Sequence, residues 1–254
     1  RGSVAICGVD DPAAAALLAA APAPMRVGVT LAAPGPDQLG IAEGALVDRA
    51  FGGGELADMA AVTPGGPSGL TDALAAAALA RAYGVPPAAV AAGLAAFRPG
   101  GHRGAVVGSV DGVTYINDSK ATNPHAADAA LAAAGGAVVW VAGGLLKGAS
   151  VDALVAAHGP RLRAAVVIGT DRAEIVGAMR RHAPDVPVVE VTPGDDDAMA
   201  GIMTAAVRRA AAFARRGDTV LLAPAAASMD QFTDYAARGD AFAAAVAGLP
   251  GSRP

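Results

Sequence analysis

The hydrophobic positions in the second half of the chain fall into short apolar runs separated by segments with helical periodicity. The runs that predict strands are AVVGSV, VTYIN, AVVWVAG, AAVVIG, VPVVEV and TVLLAP. From the second run onward, the pattern predicts helices over 124–134, 150–158, 171–182 and 197–216, and a final pair within 228–247. Apolar strands that alternate with helices are typical of a largely parallel sheet covered on both faces. In such a sheet, ligands bind beyond the carboxyl ends of the strands.

The first half of the chain shows a looser alternation of strands and helices. SVAICG and MRVGVTL predict strands on either side of a helix with Asp11 as its N-cap, and QLGIAEGALVDRAF predicts a hairpin with a Glu-Gly turn. Two helices follow, TDALAAAALARAYG with Thr71 as the N-cap and PPAAVAAGLAAF. The segment RPGGHR breaks this pattern with proline and glycine, so we predict a domain boundary there, with domains over 1–100 and 101–254.

Composition and charge exclude several classes of protein. Apolar residues make up 54% of the chain and aromatic residues only 4%, which predicts cores built mainly of Ala, Val and Leu. The net charge of −4, with no basic run longer than two residues, argues against a nucleic-acid partner. Cys7 is the single cysteine, and no apolar run is long enough to cross a bilayer. We therefore expect a soluble cytoplasmic protein without a membrane partner.

The segment NDSKATN, residues 117–123, contains both asparagines of the chain and one of its two lysines. It follows the predicted strand VTYIN and precedes a helix, for which Asn123 is the expected N-cap. Asp118, Lys120 and Thr122 place a carboxylate, an ammonium group and a hydroxyl at the end of that strand. Such groups can hold a ribose diol and a phosphate or carboxylate, although an Asp–Lys surface pair is the alternative interpretation.

Two more loops at predicted strand ends offer similar chemistry. AGGLLKGAS contains the second lysine, Lys147, and ends at Ser150, the expected N-cap of the next helix. APAAASMDQFTDY contains Ser228, which we also expect to cap a helix and which, with nearby backbone N–H groups, could bind an anion. A flexible turn with a solvated lysine is the alternative for the first of these loops. Three such loops from three strand ends make a stronger case together than any one of them alone.

Familiar catalytic motifs are missing from the sequence. It contains no G-x4-G-K-[ST], no G-x-S-x-G, no metal-type Cys/His spacing and no G-x-G-x-x-G after the first strand of either half. At the domain junction, His102 and Arg103 could either grip a ligand or pair with a carboxylate. From the residues alone, the prediction is an α/β protein with an anion-binding crevice and no identified reaction.

Four segments, in order and in spacing, resemble the Mur ligase family. They are HR at 102–103, NDSKATN at 117–123, GGLLKG at 143–148 and LLAPAAASMDQFTDYAARGDAF at 221–242. Within the family they resemble the branch that adds D-glutamate to UDP-N-acetylmuramoyl-L-alanine. The resemblance covers nearly the whole chain. It implies an α/β protein in which a partial central (P-loop-type) ATPase domain lacking its Walker loop is followed by a Rossmann-like, mostly parallel sheet domain that binds D-glutamate.

The resemblance also implies an activity and a set of site residues. In the implied reaction ATP phosphorylates a substrate carboxylate, the amine of D-glutamate attacks the acyl phosphate, and phosphate leaves. The implied residues are Lys120 and His102 for catalysis, Arg103, Asp118 and Asp72 for ATP binding, and Thr122, Lys147, Ser228, Met229 and Tyr235 for D-glutamate binding. The implied partners are ATP, D-glutamate and UDP-N-acetylmuramoyl-L-alanine, with Mg²⁺ ligands expected in a part of the protein that would precede residue 1, and we expect a monomer.

The sequence departs from the family pattern in two ways. Where the family has His-Asn opening a helix and an Asn four positions past that His, this chain has Ser68, Gly69 and Asp72. The UDP-sugar domain, the Walker loop and the magnesium ligands of the family have no counterpart in this chain. We therefore expect no ligase activity from this polypeptide alone, and a non-catalytic relative that binds a nucleotide or an amino acid stays open as an alternative.

Overall fold

A computed structural model describes residues 2–192 and 201–253, and the chain divides into two compact units, Arg1–Pro99 and Gly100–Pro254. The first unit combines a five-stranded sheet with three α-helices. Its strands are β1 (Val4–Gly8), β2 (Met25–Val29), β3 (Gln38–Ala42), β4 (Ala45–Asp48) and β5 (Gly54–Asp58), and its helices are α1 (Pro12–Ala20), α2 (Gly66–Tyr83) and α3 (Pro87–Ala96). The strands lie in the order β1-β2-β3-β4-β5, parallel from β1 to β3 and antiparallel from β3 to β5.

Local signals in the first unit led to two correct predictions and one wrong one. Asp11 caps α1 by accepting a hydrogen bond from the backbone N–H of Ala14 at 2.9 Å, and β3 and β4 form the predicted hairpin. Thr71 is not an N-cap, because α2 begins five residues earlier, at Gly66. The Thr71 hydroxyl instead donates to the carbonyl of Pro67 inside the helix, at 2.9 Å.

A buried ion pair joins the hairpin of the first unit to α2. The carboxylate of Asp48 is fully buried and accepts hydrogen bonds from the backbone N–H groups of Ala50 and Phe51 and from Nε of Arg81, each at 2.8 Å. The guanidinium of Arg81 also donates to the carbonyl oxygens of Phe51 and Val85. One carboxylate and one guanidinium therefore fix the turn after β4 against the end of a helix.

The second unit contains a six-stranded sheet and five α-helices. Its strands are β6 (Ala105–Val110), β7 (Val113–Asn117), β8 (Val138–Gly143), β9 (Leu162–Ile168), β10 (Val188–Glu190) and β11 (Thr219–Leu222). Its helices are α4 (Pro124–Ala133), α5 (Asp152–His158), α6 (Arg172–His182), α7 (Ile202–Phe213) and α8 (Tyr235–Ala247). The strand order is β10-β9-β8-β11-β7-β6, with every pair parallel except β6 with β7.

Both faces of this sheet are covered by helices, as the apolar runs predicted. The side chains of β8 alternate between two cores: Trp140 belongs to the core that contains residues of α4, α5 and α6, whereas Val139 and Val141 belong to the core with α7 and α8. Helices cover both faces of the central strands. Residues of these strands can therefore reach a ligand only at the ends of the strands. The predicted α/β class with a mostly parallel sheet is confirmed.

Three predicted helix boundaries in the second unit need correction. Ser150 is not the N-cap of α5; its hydroxyl instead accepts from the N–H of Asp152 at 3.1 Å, two residues on. The expected pair of helices within 228–247 is a single helix, α8, preceded by turns. The helix expected over 197–216 is observed from Ile202 to Phe213, and residues 193–200 lie outside the described part of the chain. Over residues 2–192 and 201–253, no helix has the length and apolarity that crossing a bilayer requires.

Candidate functional site

Three loops meet at the carboxyl edge of the second sheet because their strands, β7, β11 and β8, are neighbours in it. The loop after β11 lies between the other two. The N–H of Ala225 donates to the carbonyl of Ala121, at 3.0 Å, in the loop after β7. On the other side, Leu145 and Ala227 exchange two backbone hydrogen bonds of 2.9 Å with the loop after β8. The structure thus brings together the segments that carry Lys120, Lys147 and Ser228.

Three of the predicted site residues form a cluster on the β7 side. The ammonium nitrogen of Lys120 lies 3.8 Å from the centre of the Tyr235 ring, a cation–π contact. The ring of Tyr235 also meets the ring of His102 edge-on, with 6.3 Å between the ring centres. The backbone N–H of Lys120 donates to the carbonyl of His102 at 3.0 Å. Lys120, His102 and Tyr235 are therefore held as one group.

The side chain of Asn117, which is 2% exposed, fixes the orientation of His102. Its oxygen accepts from the N–H of Ser119 at 3.1 Å, and its nitrogen donates to the carbonyl of Gly239 at 2.9 Å. Because this pairing orients the amide, the nitrogen also donates to Nδ1 of His102 at 3.0 Å, and neutral His102 carries its proton on Nε2. That nitrogen faces Asp240 at 3.6 Å. A Cβ on Gly239 would lie 2.1 Å from His102 Nδ1, so only glycine leaves room for the ring.

Asp118 and Arg103, both predicted to contact a nucleotide, interact electrostatically in the structure. Burial raises the pKa of Asp118 to about 6, while a hydrogen bond from the backbone of Gly104 and the charge of Arg103 act in the opposite direction. The surroundings of Asp118 therefore disfavour its ionised form. Such perturbed groups are concentrated at functional sites.

This burial predicts that Asp118→Asn raises the melting temperature at neutral pH. An unfolded aspartate titrates near pH 4. Because the folded state holds the Asp118 proton up to about pH 6, the wild type loses stability as pH rises between those two values, and the asparagine variant does not. Since partial exposure screens the effect, we expect a gain of about 2–4 °C at pH 7.5, shrinking towards zero below pH 4.

Thermal unfolding monitored by circular dichroism across this pH range measures the difference. Asp185→Asn, at an exposed carboxylate, is the matched control and should show no comparable gain. A melting-temperature difference for Asp118→Asn that does not change with pH would rule out burial of the charge as its cause.

The other predicted residues occupy different surroundings. Lys147 is exposed and has a positive φ of 54°, Thr122 is half-buried, and Ser228 is 3% exposed. Met229 is 65% exposed. Asp72 is exposed on α2 of the first unit. Ser228 does not cap a helix as expected: turns follow it, and Asp234 caps α8 by accepting from the N–H of Ala237 at 2.7 Å.

Sequence reasoning assigned no role to Arg238, which the structure places at the centre of the three loops. Arg238 is fully buried, and its guanidinium donates to the hydroxyl and carbonyl oxygens of Ser119, at 2.9 and 2.8 Å. It also donates to the carbonyls of Ala226, at 3.1 Å, and Gly143, at 3.4 Å. Burial lowers its pKa to about 10, partly offset by the charge of Asp230, so Arg238 stays a cation at neutral pH. One side chain therefore contacts the loops after β7 and β11 and the last residue of β8.

A signal for Arg238 existed in the sequence, although it was weak. Arg238 lies near the start of α8 and one residue before Gly239, within YAARGDAF. The chain has seventeen arginines, so the presence of an arginine at this position does not by itself indicate a special role. Only the fold shows that the side chain of Arg238 points into the edge of the sheet. Asn117 was missed for a similar reason, because a polar residue at the end of a strand is usually read as the start of a loop.

Comparison with known proteins places this arrangement in a family. Residues 102–226 match the family described as Mur ligase, glutamate ligase domain. UDP-N-acetylmuramoylalanine–D-glutamate ligase of Mycolicibacterium vanbaalenii is 54% identical over 269 residues, which cover 96% of this chain and 56% of that protein. The enzyme of the same name from Streptomyces avermitilis is 60% identical over 229 residues, covering 88% of this chain and 48% of that protein. The chain thus spans about half the length of the curated relatives it matches.

Solved structures support the same fold at much lower identity. MurF from Acinetobacter baumannii superposes with a TM-score of 0.55 at 17% identity, covering 87% of this chain and 49% of that one. UDP-N-acetylmuramate-alanine ligase MurC from Thermotoga maritima gives a TM-score of 0.52 at 15% identity, over 85% of this chain and 46% of that one. The matched domain, the relatives that are 54% and 60% identical, and the shared fold together show that this chain belongs to the Mur ligase family and corresponds to its carboxyl-terminal portion.

Proposed function

We propose that this chain supplies the D-glutamate site and part of the ATP site of a ligase that adds D-glutamate to UDP-N-acetylmuramoyl-L-alanine in peptidoglycan precursor synthesis. The observation that carries the proposal is the joining, by backbone hydrogen bonds, of three loops that bear both lysines of the chain and the buried Ser228. D-Glutamate carries two carboxylates, and these loops offer cations and hydroxyls at a single sheet edge. The names of the relatives support the choice of this amino acid.

On the nucleotide side, Asp118 and Arg103 are the proposed contacts. A carboxylate can accept hydrogen bonds from both hydroxyls of a ribose, and Arg103 lies close enough to influence the ionisation of Asp118. The ammonium of Lys120, two residues further on, is the proposed partner of the phosphates. Among residues 2–192 and 201–253, no group of three or more metal-type side chains lies together.

The proposed reaction gives the residues of this chain binding and charge-stabilising roles. ATP phosphorylates the alanyl carboxylate, the amine of D-glutamate attacks the acyl carbon, and the resulting tetrahedral adduct expels phosphate as the amide forms. Lys147, Thr122 and Ser228 would hold the D-glutamate carboxylates, and Met229 and Tyr235 would line the same site. Holding the amine donor beside the acyl phosphate contributes to the rate by fixing distance and orientation. Lys120 would stabilise the negative charge on the phosphate groups. His102, whose ring contacts Tyr235 edge-on, would assist it.

Calorimetric titration with D-glutamate tests the amino-acid site directly. We expect Lys147→Ala to weaken D-glutamate binding by about tenfold or more, since it removes one partner of a charge-assisted contact. L-Glutamate, titrated into the wild type, should bind more weakly than D-glutamate because it presents its groups with the opposite handedness.

Arg180→Ala is the matched control, because it removes one positive charge from an exposed position on α6. Its D-glutamate affinity should equal that of the wild type. Indistinguishable curves for the wild type and Lys147→Ala would remove the assignment of the ligand. Production of ADP or phosphate by the purified chain with its substrates would show that it also performs the phosphoryl transfer, contrary to our expectation.

A further inference from the structure

A fourth loop, residues 169–171 after β9, also contacts the segment that carries Lys147. The strand β9 lies beside β8 in the sheet, so its carboxyl end reaches the same edge. Sequence patterns assigned no function to this loop, and the proposed function uses none of its residues. Its contacts are made by backbone groups and by one carboxylate, Asp171.

The position of Lys147 depends on its backbone. Its side chain is exposed and its φ is 54°, in the left-handed region that non-glycine residues seldom adopt. A residue in this conformation persists only where neighbouring contacts hold it. The preceding residue, Leu146, is the natural place for such contacts, because its side chain is anchored in the core with 6% exposure.

Asp171 supplies those contacts. Its Oδ2 accepts a hydrogen bond from the backbone N–H of Leu146 at 2.8 Å, and its own N–H donates to the carbonyl of Gly144 at 3.1 Å. Two bonds of opposite direction therefore join Asp171 to the peptide units on either side of Leu145, two residues before Lys147. A hydrogen bond to an ionised acceptor is about twice as strong as one between neutral groups.

The fourth loop is itself fixed in place. Oδ2 of Asp230 accepts from the N–H of Thr170 at 2.8 Å, which ties this loop to the one after β11. Gly169 packs so closely that a Cβ there would lie 2.3 Å from the nitrogen of Gly144. Arg172 closes the other side by donating to the carbonyl of Gly169 at 2.7 Å. Asp171 thus reaches Leu146 from a rigid support.

We propose that Asp171 is a positioning residue: it fixes the backbone before Lys147 and so places the lysine ammonium group in the amino-acid site. The inference rests on the proposed function, because it takes Lys147 as a contact of the D-glutamate carboxylate.

A double-mutant cycle between Asp171 and Lys147 tests this inference by calorimetry. In the wild-type background, Asp171→Ala should weaken D-glutamate binding by about tenfold. In the Lys147→Ala background, the same change should alter affinity by less than about twofold, because the group that it positions is absent. Asp171→Asn keeps an oxygen acceptor for Leu146 and should restore most of the affinity.

Glu174→Ala is the matched control, since it removes a carboxylate one turn along α6 at an exposed position. Hydrogen exchange supplies a readout without ligand: exchange in the peptide 143–149 should be at least about tenfold faster in Asp171→Ala and unchanged in Glu174→Ala. Equal effects of Asp171→Ala in both backgrounds, or unchanged exchange over 143–149, would overturn the inference. If Lys147→Ala alone leaves D-glutamate affinity unchanged, the proposed function fails, and exchange still decides whether Asp171 holds the loop.

Discussion

Replacement of Arg238 by leucine should lower the free energy of unfolding of the second unit by about 3–5 kcal/mol. Leucine fills part of the volume but donates no hydrogen bonds, so the carbonyls of Ser119, Ala226 and Gly143 lose their donor inside the protein. Removing a buried charge can stabilise a protein when its partners are removed as well. Here the partners are backbone carbonyls, which remain in the leucine variant without a donor. Lysine at this position offers one nitrogen in place of a planar fork and should recover only part of the loss.

Trp140 makes this measurement specific to the second unit. It is the single tryptophan of the chain, it is fully buried, and its ring nitrogen donates to the carbonyl of Ala223 at 2.7 Å. Its fluorescence during urea unfolding therefore reports on the sheet that carries the three loops. Arg209→Leu, at an exposed position on α7, is the control and should change the free energy of unfolding by about 0.5 kcal/mol or less. A similarly small change for Arg238→Leu would contradict the central role of this side chain.

Asp48→Ala should have an effect of similar size in the first unit, a loss of about 3–5 kcal/mol. The substitution leaves the guanidinium of Arg81 buried without its carboxylate, and it also leaves the backbone N–H groups of Ala50 and Phe51 without their acceptor. Removing one partner of a buried ion pair is much more costly than removing an exposed charge. Urea unfolding monitored by circular dichroism, which senses both units, should show part of the transition at lower urea.

Asp58→Ala is the appropriate comparison for Asp48→Ala. Asp58 also accepts a backbone hydrogen bond, from Ala60 at 2.7 Å, but it is exposed and is the N-cap of the short 3-10 helix Met59–Ala61. Its replacement should cost about 1 kcal/mol. If the two alanine variants unfolded alike, the ion pair with Arg81 would contribute nothing measurable.

The sheet of the second unit and the loops at its edge could be predicted because buried parallel strands leave a simple pattern. Runs such as AVVWVAG are apolar at every position, since both faces of the strand are covered, and the polar residues that follow mark the carboxyl end. Two of the loops carry the lysines. Once the topology was inferred, the sequence therefore predicted positively charged groups at this edge of the sheet. Asn123 as the N-cap of α4 was predicted for the same local reason, and its side chain accepts from Ala126 at 2.9 Å.

Features that depend on distant parts of the chain could not be predicted in this way. The strand GELAD, β5, contains two acidic residues at the edge of its sheet and has no apolar run to reveal it. Ser228 and Asp234 are both acceptable N-caps by residue type, and packing of the turns between them decides in favour of Asp234. Asp171 appears as an ordinary residue at a helix start, and only the placement of β9 beside β8 brings it to Leu146.

The contacts of Arg238 also order events during synthesis of the chain. This arginine bonds to groups 119 and 95 positions earlier, at Ser119 and Gly143. A ribosome therefore completes the first two loops long before the side chain that joins them has been translated. Until α8 has been translated and docks, the hydrogen bonds of Arg238 to these earlier segments cannot form, so their final arrangement depends on one of the last helices to be made.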